Sequence, residues 1–144
     1  MEIKRIIEFF DTVLKYGLII LLILAFLVFI FVFTINWEDW FFGIKLDGIS
    51  AGLYLFIKAV SAGSLAYLLV KYPRYTLAIT GIAIFYFGYL LVDSAVTIQR
   101  LTGGLFSPLL LFFFVVPVVF LIIRIVKIRI SQNDKEYQSE QKDS

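Results

Sequence analysis

The chain has 144 residues, 61% of them hydrophobic and 17% charged, with a formal net charge of +2. Soluble domains carry roughly 45–50% apolar residues, and a chain this short could not hide the excess from water; the small net charge also argues against a nucleic-acid partner. Cysteine and histidine are absent, which removes disulfides, thiol nucleophiles, His-ligated haem, the common zinc sites and His-based general-base catalysis.

The first apolar run covers 17–35, nineteen residues without a charge. At ~1.5 Å per residue it reaches about 28 Å, close to the ~30 Å hydrocarbon core of a bilayer. Lys4 and Arg5 resemble the basic start of a signal peptide. The run is too long for one, however, and Asn36-Trp37-Glu38-Asp39-Trp40 offers no small-residue cleavage site, so a retained span is expected. The second span covers 49–70, after an Asp47-Gly48 turn signal. The third covers 76–99, after the short loop Lys71-Tyr72-Pro73-Arg74-Tyr75. The fourth covers 107–126, entered through the turn Leu101-Thr102-Gly103-Gly104 and a Ser107-Pro108 cap and first-turn pair. Pro117 lies inside it and should bend it, because it removes the hydrogen bond to the Phe113 carbonyl. From 131 to 144 the chain is polar and charged without aliphatic residues, which predicts a disordered tail. The fold class expected is all-α, a four-helix transmembrane bundle over 1–130.

Orientation follows from the Lys and Arg residues. Ten of them (Lys4, Arg5, Lys15, Lys71, Arg74, Arg124, Lys127, Arg129, Lys135 and Lys142) fall on the side of the chain ends, against Lys45 and Arg100 opposite. The positive-inside rule then puts both termini in the cytoplasm, in a multi-pass protein of the cell membrane. Trp37 and Trp40 in the outer loop, and Tyr72 and Tyr75 at the inner boundary, read as interfacial anchors. Arg124, Lys127 and Arg129 are expected to meet anionic headgroups.

Lys58 is the one basic residue near the middle of a span, nine residues into the second. A charged Lys at a helix centre costs ~2.5–3.5 kcal/mol, so such residues face a bundle interior or a cavity. Asp93 on the third span is the carboxylate it is expected to meet, since a short loop makes these helices antiparallel neighbours and the Lys stem can reach towards the surface. Tyr86, Tyr89, Asp93 and Thr97 share one face of the third span, at ~100° per residue. Lys58, Asp93, Tyr86 and Tyr89 therefore form the predicted intramembrane polar cluster. It serves either as an architectural ion pair or as a proton- or ion-handling site. Gly52, Ala59, Gly63 and Ala66 make a small-residue stripe on the second span, and Gly81 and Gly88 stand seven apart on the third. Such faces let helices approach closely, within one chain or between copies.

Pro73-Arg74-Tyr75, leading into an apolar helix that carries Val92-Asp93, resembles small four-span membrane proteins of the phosphate-starvation-inducible PsiE type. The resemblance implies a four-helix plan and no particular mechanism. It covers about twenty residues, and the basic residue which that family carries within its third helix has no counterpart between Tyr75 and Asp93. With neither a catalytic inventory nor a cofactor site, the chain reads as a non-enzymatic accessory, scaffolding or regulatory subunit acting through helix–helix contact. Its expected partners are the lipid bilayer and other membrane subunits or a second copy. The alternative is a small oligomeric transporter or channel using the Lys-Asp-Tyr cluster.

Overall fold

A computed structural model of the protein describes residues 2–103 and 108–144, with side chains outside 108–110. Ser107 and Gly104 lie outside the described residues, so the predicted cap of the fourth span does too. The described residues form α1 (Glu2–Ile35), a hairpin of β1 (Glu38–Phe41) and β2 (Ile44–Asp47), α2 (Ile49–Lys71), a single 3-10 turn at Pro73–Tyr75, α3 (Thr76–Thr102) and α4 (Pro108–Asp143). Four of these helices are long and apolar enough to cross a membrane. Gly103, in the left-handed conformation at φ 66°, ends α3 with its N–H on the Gln99 carbonyl.

The core lies where all four helices meet. Leu18 and Leu22 of α1, Leu65 and Leu69 of α2, Ile79, Ala83 and Phe87 of α3, and Phe120 of α4 are buried together. The helix α2 packs chiefly on α1, α3 on α4, and α1 also on α4, whereas α2 and α3 touch only sparsely. The small residues explain the first two contacts, although aromatic rings rather than backbones fill the space they leave. A Cβ on Gly52 would stand 3.1 Å from the Trp37 ring, one on Gly63 3.0 Å from Phe26, and one on Gly88 3.2 Å from Phe114. Ala59 and Ala66 are buried on α2. This face is therefore used within the chain, against α1.

Gly81 departs from the expected packing role, because among the described residues nothing stands within 4 Å of the Cβ it lacks. Gly81→Ala should accordingly raise stability by about 0.5–1 kcal/mol, the helix-interior cost of glycine. Equilibrium unfolding in detergent measures this, and a loss of stability would mean that Gly81 abuts a neighbour.

Two spans are longer than expected. The register set by Trp37 on Gly52 and Phe26 on Gly63 puts the end of α2, Lys71, level with Leu18. Contacts of Gly88 with Phe114 and Phe87 with Phe113 put Thr76 level with about Arg124. Beyond that level α1 and α4 continue as an antiparallel two-helix stalk. Asp11 takes Arg124 at 2.7 Å and Lys127 at 3.1 Å, and Lys4 pairs with Asp134. The segment 131–143, expected to be a disordered tail, is thus helical. No glycine or proline interrupts the chain after Pro117, and Glu, Gln and Lys are good helix formers. The charges that suggested disorder are solvated faces of a continuing helix, one of them partnered by α1.

Candidate functional site

The segment expected to be a loop between the first two spans is a tight hairpin that drops between α2 and α3. Its register pairs Trp40 with Lys45 and Phe41 with Ile44. Both residues of the two-residue turn have positive φ, 46° at Phe42 and 80° at Gly43. That is the geometry favoured by the right-handed twist of paired strands. Glycine accepts it freely, whereas an aromatic residue does so at a cost of about 1–2 kcal/mol.

The tip is held by α3. Phe42 N–H donates to Asp93 Oδ1 at 2.7 Å, and Gly43 N–H donates to Thr97 Oγ1 at 3.0 Å. Two successive backbone N–H groups thus converge on α3, one upon a carboxylate, as in backbone anion nests. The second oxygen of Asp93 accepts from the Tyr54 hydroxyl at 2.6 Å. Tyr54 has then used its proton, so the 2.9 Å contact between the Tyr54 and Tyr89 hydroxyls is donated by Tyr89. A relay Tyr89→Tyr54→Asp93 results. Tyr86 stands apart from it, donating to the backbone carbonyl of Lys58 at 2.9 Å.

Lys58 does not pair with Asp93. Its ammonium forms an ion pair with Asp39 of β1, while its Nζ lies 4.1 Å from the Tyr54 ring centroid and 4.9 Å from that of Phe29. The Lys58 side chain is 8% exposed and that of Asp39 20%. The hairpin decides this outcome. It fills the gap left by the sparse α2–α3 contact and carries its own carboxylate down to the ammonium. Asp93 meanwhile is occupied by the turn and by Tyr54. All four members of the predicted cluster line one region, but as two linked arrangements rather than one ion pair.

Between them remains a cavity of about 270 Å³ lined by Asp39, Trp40, Lys58, Asp93, Ser94 and Thr97. A larger groove of about 840 Å³ between α1 and α2, along Phe26, Val60 and Tyr67, is almost wholly apolar and converges no charged groups. The chemistry therefore belongs to the smaller cavity. It offers one ammonium, two carboxylates and two hydroxyls, suited to binding a small polar solute or water and to moving protons.

Trp40 faces this cavity, half-buried, and is not placed as a lipid-facing anchor. Trp37 remains at the rim, its indole N–H donating to the Phe33 carbonyl at 2.8 Å and its ring stacked on Phe33. Tyr72 and Tyr75 are exposed at the far end of the bundle. Sequence reasoning missed Asp39, Tyr54, Phe42 and Asp11. The alternation around Phe42-Gly43 was the available signal for the hairpin, but the turn lacks the Asn-Gly or Asp-Gly pair that marks one clearly. Comparison with protein-family models, with curated proteins and with solved structures gives no match.

Proposed function

We propose that the protein is a multi-pass membrane protein, non-catalytic, that serves as an accessory or scaffolding subunit and binds partners through helix contacts. The observation that carries this reading is the stalk. Ile3, Ile6, Phe9, Phe10 and Val13 are all exposed on one side of α1, beyond the level at which α2 and α3 end. Apolar side chains facing the hydrocarbon core need no partner, but a contiguous apolar stripe that continues beyond it along the stalk marks a contact surface. The buried charges support the same reading. Lys58, Asp93 and Asp11 each find charged or hydrogen-bonding partners inside the chain, which fixes architecture.

Native mass spectrometry from mild detergent tests the reading. The wild type should appear in a defined complex, and the double substitution Phe9→Glu with Phe10→Glu should dissociate it without changing the thermal stability of the chain. The second reading, a small oligomeric transporter or channel, is favoured by the polar cavity at Lys58. A homo-oligomeric wild type that carries solute or ion flux in liposomes, lost on Lys58→Met, would displace the subunit reading.

In this reading the protein sits in the cell membrane with both termini and the stalk in the cytoplasm, as the Lys and Arg distribution indicates. The likeness to PsiE-type proteins in Pro73-Arg74-Tyr75 and Val92-Asp93 is compatible with that plan. Cysteines at Ser144 and Lys71 should resist an impermeant thiol reagent in intact cells, while Asp47→Cys should label. The reverse pattern would invert the orientation.

A further inference from the structure

Arg124 is the first charged residue of α4, and it lies level with the start of α3. Just beyond, α4 presents a cleft of about 350 Å³ lined by Arg124, Lys127, Ile128, Ser131, Gln132 and Lys135. Three of these six residues are cations and none is acidic. Arg124 and Lys127 are held at the cleft wall, because both donate to the same oxygen, Oδ2, of buried Asp11. Their side chains nevertheless stay 24% and 37% exposed, with donors to spare. One carboxylate shared by two cations leaves charge over, and Lys135 adds to it. A fixed excess of positive charge with converging donors calls for an anion.

The position of the cleft selects among anions. A headgroup layer is about 5–8 Å deep on each side of the hydrocarbon. The rise of α4 from Arg124 to Ile128 is about 6 Å, so this part of the cleft matches that layer. Guanidinium donors match phosphate oxygens, the hydroxyl and amide of Ser131 and Gln132 are neutral partners, and Ile128 offers an apolar contact for glycerol and the upper acyl chain. Arg129 is not among the lining residues, so the three basic residues of this stretch are not equivalent. We propose that this cleft binds the phosphate of an anionic phospholipid, with Arg124 and Lys127 as its ligands and Lys135 closing it from the aqueous side. The site is independent of the subunit reading.

The full chain, delipidated and returned to nanodiscs of phosphatidylcholine with or without a minor share of phosphatidylglycerol, tests the site by native mass spectrometry. One phosphatidylglycerol should be retained in preference to phosphatidylcholine. Arg124→Gln and Lys135→Gln should each lower its retention about fivefold, as expected for about 1 kcal/mol per cation near an anionic surface. Lys45→Gln, at the opposite end, should leave it unchanged. Arg124→Gln removes a partner from buried Asp11; if that variant does not fold, Lys135→Gln carries the test, since Lys135 touches no buried carboxylate. Equal retention of the two lipids, or an equal loss with Lys45→Gln, would overturn the proposal. Displacement of the lipid by inorganic phosphate would also overturn it, and would assign the cleft to a soluble phosphate ligand.

Discussion

Replacing Lys58 by methionine should lower the stability of the bundle by about 3 kcal/mol, and adding Asp39→Asn should recover most of the loss. Removing one member of a buried ion pair strands the other charge, at a cost of about 3–5 kcal/mol, whereas removing both is close to neutral. The lower end applies here because the Asp39 side chain keeps 20% of its surface exposed. Methionine retains an unbranched apolar stem beside Tyr54 and Phe29, so the loss reports charge rather than packing. Double-mutant cycles by equilibrium unfolding in detergent separate the candidates. Coupling of Lys58 to Asp39 should clearly exceed its coupling to Asp93. A larger coupling to Asp93 would mean that the hairpin does not seat on Lys58.

Asp93→Ala should release the hairpin tip. The substitution leaves the Phe42 N–H and the Tyr54 hydroxyl without their acceptor, at about 1–3 kcal/mol for each group that stays buried. The turn would relax sooner than bear that cost, because Phe42 already sits at φ 46°. A net loss of about 3 kcal/mol in holding the tip corresponds to roughly a hundredfold faster amide exchange at Phe42 and Gly43. Hydrogen exchange read over 38–47 measures it directly. Thr97→Val, which removes only the partner of Gly43 N–H, should give a smaller change, about 1 kcal/mol. Unchanged protection in Asp93→Ala would show that the strands alone hold the turn.

The four long helices were legible from residue order alone. Span-length apolarity is local and additive, so 49–70 and 76–99 need no knowledge of their neighbours to be recognised, and the helices Ile49–Lys71 and Thr76–Thr102 follow them closely. That Lys58 and Asp93 must be partnered inside the protein was legible for a similar reason, since ionisable groups among apolar residues must find partners wherever the chain goes. Which partners they find was not. Two carboxylates, Asp39 and Asp93, could satisfy Lys58 on charge and reach. The choice fell to where a short hairpin drops between two loosely packed helices, and its Phe-Gly turn carries only a weak local signal. The stalk was hidden likewise. Composition marked 131–144 as unable to bury a core of its own, which is correct for an isolated segment. Its helix runs instead as an unbroken extension of α4 and meets α1 through Lys4 and Asp134. Sequence determined which segments are apolar enough for lipid and which residues are too polar for it. Tertiary structure alone decided how those polar residues pair, because each pairing joins positions far apart in the chain, and its energy depends on a geometry that no local pattern encodes.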